Sequence, residues 1–217
     1  MPTLQAEPIV YVVDDDVSVR ESLKSFLETA GLCVHPFTSA WDFLASPHPQ
    51  VPGCLVLDVS LPDLNGLELQ QRIAGDRADL PIVFITGCGD VPMTVRAMKA
   101  GAIEFLTKPL DTDALLRAVT DAIELSRRAL ADAAEASSIH RSYATLSRRE
   151  RQVMALVVSG LLNKQVASEL SISEITVKAH RGKVMHKMGA RSLADLFSMA
   201  LVLKLHQSPA PPDAPAY

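Results

Sequence analysis

The chain has 217 residues, 48% of them hydrophobic, which suffices for one large or two small globular domains. No segment reaches the roughly 20 apolar residues of a membrane span. The N-terminal MPTLQAEPIVYVV carries no basic region before its apolar run, so it is not a signal peptide and the expectation is a cytoplasmic protein with no membrane partner. The net charge of −4 hides a split: residues 1–140 carry 10 Lys and Arg against 20 Asp and Glu, residues 141–217 carry 11 against 5, which turns the second half toward a polyanion.

Ile9–Val13 is β-branched and apolar and predicts a strand running into Asp14-Asp15-Asp16. Residues 18–30 set Val19, Leu23, Phe26, Leu27 and Ala30 at helical spacing, with Gly31 as the stop. Cys33–Phe37 predicts a second strand, Ser39–Ala45 a short helix, and Cys54–Leu57 a third strand whose unbroken apolar run suits the centre of a parallel sheet. Gly66–Arg77 is helical and Pro81–Ile85 is a fourth strand. Asp90 caps a helix reaching about Ala100, with Pro92 in its first turn, and Ile103–Leu106 is a fifth strand. This alternation predicts an α/β doubly wound, five-stranded parallel sheet over residues 1–125.

A helix from Thr112 meets neither Pro nor Gly until about Ser137. It is read as a helical linker over 126–142, fraying at Ala136-Ser137-Ser138. An all-α four-helix unit follows over 143–206, and the Pro/Ala-rich tail at 207–217 predicts disorder. Cys33, Cys54 and Cys88 are odd in number and fit neither a CxxC nor a zinc spacing, which excludes a disulfide framework and predicts reduced thiols.

Polar residues cluster at the ends of the predicted strands: Asp14 and Asp15 after the first, Asp58 after the third, Thr86 after the fourth, Lys108 with Pro109 after the fifth. In a parallel sheet these ends share one edge, where open α/β sheets place ligands. Carboxylates a few ångströms apart repel by roughly 1–4 kcal/mol, so one stays protonated or a cation sits among them. Hard oxygen ligands without His or Cys favour Mg²⁺. A carboxylate can also attack phosphorus, with Lys108 and the Thr86 hydroxyl contacting the transferred group.

Through VVDDD (12–16), LVLDVSLPDLNG (55–66), VFITG (83–87) and FLTKP (105–109), the chain resembles the receiver domain of bacterial two-component response regulators over about residues 8–125. The resemblance implies a flavodoxin-like fold with Asp58 as the phosphorylated residue. It implies Mg²⁺ (or Mn²⁺) held by Asp14, Asp15, Asp58 and the Ser60 carbonyl, with Asp15 the more direct ligand. Lys108, through a cis peptide to Pro109, would pair with the phosphoryl group; Thr86 would reorient onto it and Phe105 would rotate inward. Ser60 and Cys88, two residues past Asp58 and Thr86, are expected either to flank the path of attacking water and lengthen the phosphoryl lifetime or merely to fill space. A dehalogenase-type phosphohydrolase would need a second acid two residues after the nucleophile, where this chain has Ser60. A constitutive DNA-binding protein with an idle receiver is the other alternative.

In the basic half, Ser147 and Glu150 form a capping box. Asn163 is expected to cap KQVASEL, and Ser171-Ile172-Ser173 leads into a helix from Glu174 to Met188, which makes a helix-turn-helix. At about 100° per residue, Val177, Val184 and Met188 face the other helices. Ala179, Gly182 and His186 lie opposite, flanked by Lys178 and Lys183, the layout of a groove-reading helix. Lys178 is the expected base contact, with Thr176 and Ala179 alongside. Lys164, Lys183 and Lys187 are expected on phosphates, as are His180 and Arg181 unless these two pack at the helix flank.

LSRRERQV (146–153), GLLNKQVASEL (160–170) and SEITVKAHRGKVMHKM (173–188) resemble the LuxR-type DNA-binding domain, which implies a final helix, about 192–203, that mediates dimerisation. Gly182 stands where relatives carry base-reading side chains. Receiver plus LuxR-type domain resembles the NarL/FixJ class, and ITGCGDVPMTVRAMKAGAIEFL (85–106) is near the pattern of styrene-catabolism and nitrogen-fixation regulators. The resemblance implies a transcription factor and not an enzyme. Its expected partners are a sensor histidine kinase, promoter DNA and RNA polymerase, with a homodimer forming on phosphorylation as the switch repacks Phe105 and the face of the fourth helix, fifth strand and fifth helix around Met93, Val95, Ala97 and Met98.

Overall fold

The computed structural model describes residues 7–75, 77–87 and 89–205. Cys88 and the tail at 207–217 lie outside the described residues. The chain divides into two compact units, 1–132 and 133–217.

In the first unit the described strands are β1 (Ile9–Val13), β2 (Cys33–Phe37), β3 (Gly53–Asp58), β4 (Ile82–Thr86) and β5 (Glu104–Thr107). All pair in parallel in the order β2-β1-β3-β4-β5. Alternation along each strand builds two cores. Tyr11, Val13, Leu55, Leu57 and Phe84 point to the side covered by α2 (Ala40–Ala45), α3 (Gly66–Ile73) and α4 (Val91–Lys99). Val10, Val12, Val56, Val83 and Ile85 point to the other side, under α1 (Val17–Thr29) and the first turns of α5 (Thr112–Ala144). Coverage on both faces is why β3 and β4 are buried throughout and apolar up to the polar residue closing each, which is buried as well.

Two expected bounds are corrected. The third helix ends at Ile73, not Arg77, with Ala74 as its C-cap and Gly75 following it; glycine is a poor continuation of a helix. The long helix does not fray at 136–138 but runs to Ala144, because Ile139 is buried and Tyr143 packs against the core of the second unit. Further up α5, the buried Ser126 hydroxyl donates to the Asp79 carbonyl and accepts from Gly53 N–H at 3.1 Å, tying α5 to the start of β3.

The second unit packs α6 (Arg148–Val158), α7 (Asn163–Leu170), α8 (Glu174–Met188) and α9 (Leu193–Val202) around Val153, Met154, Val166, Val177, Val184 and Leu196. Ser171 takes the left-handed conformation at φ 52° and turns the chain from α7 into α8. Among the described residues no helix is long and apolar enough to cross a membrane.

Candidate functional site

The register explains how distant residues meet. Val13 lies beside Leu57 and Asp58 beside Ile85, while Thr86 is level with Thr107. Asp14, Asp58, Thr86 and Lys108 therefore emerge at the carboxyl edges of neighbouring strands, and Thr86 O accepts the Lys108 backbone N–H at 2.7 Å. The Lys108–Pro109 peptide is cis.

The Lys108 ammonium bridges two buried acids. It lies 2.7 Å from Asp14 Oδ2 and 3.1 Å from Asp58 Oδ1. The remaining oxygens take backbone donors: Asp16 N–H reaches Asp14 Oδ1 and Ser60 N–H reaches Asp58 Oδ2, both at 2.9 Å. Burial holds the Asp58 carboxyl above its usual range, with Lys108 working against that shift and Asp14 reinforcing it. Burial alone would lower the Lys108 ammonium, but its hydrogen bonds to Asp14 and Asp58 outweigh it and raise the group.

Asp15 is exposed at the rim, and Ser60 is exposed beside Asp58. Thr86 is fully buried. Phe105 is half-buried against the β-sheet core, its ring centroid 6.1 Å from that of Phe84. Gly89 sits directly against it: a Cβ there would come within 2.9 Å of the Phe105 ring and 3.1 Å of the Thr86 methyl.

Sequence reasoning missed Arg20. Its guanidinium, on the buried side of α1, donates to Asp14 O at 2.7 Å and Asp15 O at 3.4 Å, pinning the acidic loop from beneath. Its only sequence signal is a cation interrupting the apolar face of α1. The loop leaving Asp58 is tied down as well: Asp63 Oδ2 accepts Trp41 N–H at 3.1 Å. The Arg72 guanidinium of α3 lies 4.9 Å over the Trp41 ring.

The donor set is all hard oxygen. Two buried carboxylates share one ammonium, and a third acid, Asp15, lies at the rim, so a divalent cation would balance the excess negative charge. These residues fit Mg²⁺, although among the described residues no three acids lie close enough to form a metal cluster as they stand. The face expected to repack, around Met93, Val95, Ala97 and Met98, is partly internal. Met93 packs on the core and Ala97 is buried, so the exposed stripe of α4 is Val91, Val95 and Met98.

In the second unit, Ser147 Oγ accepts Glu150 N–H and Glu150 Oε2 accepts Ser147 N–H, closing the capping box. Lys187 reaches across from α8 to the same carboxylate at 2.7 Å and to Thr145 O at 3.2 Å. The Lys187 bond, followed by the Ser147 N–H, holds Glu150 down to about 2. The cation expected on phosphate is thus engaged inside the unit.

Asn163 is the first residue of α7 and not its cap, which is Leu162. The Asn163 side chain accepts from Arg181 at 3.2 Å. Arg181 and His180 are half-buried, and His180 Nδ1 is buried without a hydrogen-bond partner among the described residues, which favours the flank-packing alternative for both. Ser173 caps α8, and its hydroxyl lies 2.8 Å from that of Thr176. Lys164, Lys178, Ala179, Gly182 and Lys183 are exposed; Lys178 lies 3.7 Å from Glu174.

The response regulator receiver domain family matches residues 10–120, and the luxR family of bacterial regulatory proteins matches residues 144–200. The chain is 51% identical to nodulation protein W of Bradyrhizobium diazoefficiens over 90% of its own length and 86% of that protein's. It is 45% identical to response regulator protein TmoT of Ectopseudomonas mendocina, over 91% of this chain and 90% of that one. The solved structure of response regulator StyR superposes with a TM-score of 0.79 at 46% identity, covering 90% of this chain and 99% of that one.

Sheet, rim and helix-turn-helix together define a receiver joined to a LuxR-type DNA-binding domain. The chain belongs to the two-component response regulators of the NarL/FixJ type, phosphorylation-dependent regulators of transcription. Receivers of this family typically use Mg²⁺ at the phosphorylation site.

Proposed function

We propose that Asp58 accepts a phosphoryl group from a sensor histidine kinase and that the modified chain dimerises on promoter DNA. The observation that carries this is the Lys108 ammonium held 3.1 Å from Asp58 and 2.7 Å from Asp14 at one edge of the sheet. An Asp58 oxygen attacks phosphorus while the P–N bond of the donor phosphohistidine breaks and its imidazole takes up a proton. Lys108, already seated on Asp58, meets the charge of about −1.5 to −2 that the group brings. Asp14, Asp15, Asp58 and the Ser60 carbonyl would hold Mg²⁺, which would supply charge neutralisation for the transferred group. Asp58 is an acceptor, and the chain is not an enzyme with a separate substrate to turn over.

Thr86 and Phe105 carry the change toward α4 and β5. A coupling of about 1–3 kcal/mol shifts a monomer–dimer balance. The exposed Val91, Val95 and Met98 of α4, and Leu193 and Leu201 of α9, supply apolar surface for self-association. Two copies of α8 then read half-sites about 10 bp apart, with Lys164, Lys178 and Lys183 on the DNA and RNA polymerase as the further partner, in the cytoplasm.

Intact-mass spectrometry and light scattering after treatment with acetyl phosphate and Mg²⁺ test this. Wild type is expected to gain one phosphoryl group and dimerise, and Asp58→Asn to do neither. Dimerisation of Asp58→Asn in response to the phosphodonor overturns the mechanism.

A further inference from the structure

The reading face of α8 carries an apolar residue that packs on no core among the described residues. At about 100° per residue, the line opposite the buried Val177, Val184 and Met188 passes through Ile175, Ala179, Gly182 and His186. Ile175 is 80% exposed, more than any other large apolar side chain among the described residues. It stands in the first turn, where Ser173 already caps the helix, and a β-branched residue brings no helix propensity to the position.

The line continues with the smallest side chains. Ala179 is exposed. Gly182 has no left-handed φ, and a Cβ placed on it would meet nothing within 4 Å, so no internal packing demands glycine. Exposed Lys178 and Lys183 border this strip. The polar groups beside Ile175 already have partners: the Thr176 hydroxyl lies 2.8 Å from that of Ser173, and Lys178 lies 3.7 Å from Glu174.

An apolar strip bordered by cations suits a polyanion that itself presents an apolar group. In the major groove of DNA that group is the 5-methyl of thymine. The geometry points to Ile175, with Ala179 beside it, as a specificity residue that selects thymine by methyl contact and not by hydrogen bonding. This rests on the reading of α8 as the recognition helix. It gives Gly182 a purpose as well, since a bare backbone at that position lets the helix seat deeply enough for Ile175 to reach a base edge.

The test begins with selection of binding sites from random DNA by the full-length chain treated with acetyl phosphate and Mg²⁺. Each thymine of the selected site is then replaced by uracil, which removes only the methyl group. Wild type should bind about fourfold more weakly at one or two positions per half-site, the effect of one buried methyl. Ile175→Ala should bind thymine and uracil sites alike, and Ile175→Val should retain part of the discrimination. The slope of affinity against salt should stay unchanged in both variants, because phosphate contacts are intact.

Wild-type indifference to uracil at every position, or full discrimination by Ile175→Ala, overturns the inference. So does loss of a protein complex, with DNA discrimination intact, in Ile175→Ala. Failure of wild type to enrich any sequence or to bind DNA in a salt-dependent way defeats the recognition-helix reading itself, and this inference with it.

Discussion

Single residues at the rim are placed by strand ends, and that is why they were legible in the sequence. Asp14, Asp58, Thr86 and Lys108 each follow or close an apolar run, and parallel pairing brings such positions together whatever the side chains do. Arg20 and Lys187 were not legible in this way, because their roles depend on long side chains folding back onto carbonyls and a carboxylate that pattern reasoning cannot locate. Two predictions belong to this scale. Asp58→Asn removes one of two buried acids sharing a single ammonium, so it should raise the Tm of the first unit in the absence of Mg²⁺ and abolish stabilisation by added Mg²⁺, both read by differential scanning fluorimetry. Gly89→Ala drives a methyl into the Phe105 ring and the Thr86 methyl. It should leave phosphorylation of Asp58 intact while weakening phosphorylation-dependent dimerisation, measured by light scattering.

At the scale of elements, apolar periodicity located the strands and helices of the first unit to within a few residues. It failed where tertiary contact overrode composition. The Ala/Ser-rich stretch at 136–138 reads as a fraying end, yet Ile139 anchors the following turn and the helix persists to Ala144. Conversely, 74–77 has helical composition, but Gly75 and the return of Leu80 to the core end α3 early. The caps of the second unit give the prediction here. Ser173→Ala removes the acceptor for Thr176 N–H and should cost about 1 kcal/mol, concentrated in the first turn of α8. Amide exchange should therefore quicken at 174–177 and DNA affinity should fall, with the far end of α8 held by Lys187 and Glu150.

On the scale of the whole molecule, charge is divided as the chain is: residues 1–132 carry 10 Lys and Arg against 19 Asp and Glu, a net −9, and residues 133–217 carry 11 against 6, a net +5. Replacing Lys164 or Lys183, the exposed cations expected on phosphates, by alanine should reduce the log–log salt slope of DNA binding by about 1 each. Acid should act on the second unit through Glu150. Its carboxyl is held down to about 2 from an ordinary 4.5, so its stabilisation is complete above about 4.5 and is lost as pH falls toward 2. Glu150→Gln should lower the stability of the unit at pH 7 and flatten its dependence on pH over that window, as followed by circular dichroism.

Trp41 is the one tryptophan in 217 residues, half-exposed, bonded through its amide to Asp63 in the loop leaving Asp58, and covered by Arg72. Light absorbed at the red edge of the protein spectrum is therefore taken up at a single known place, wired by one hydrogen bond to the loop that leaves Asp58. Emission from the unlabelled protein should change on occupancy, so the rates of gain and decay of the modification should be readable in a stopped-flow cuvette without dye, radioisotope or antibody.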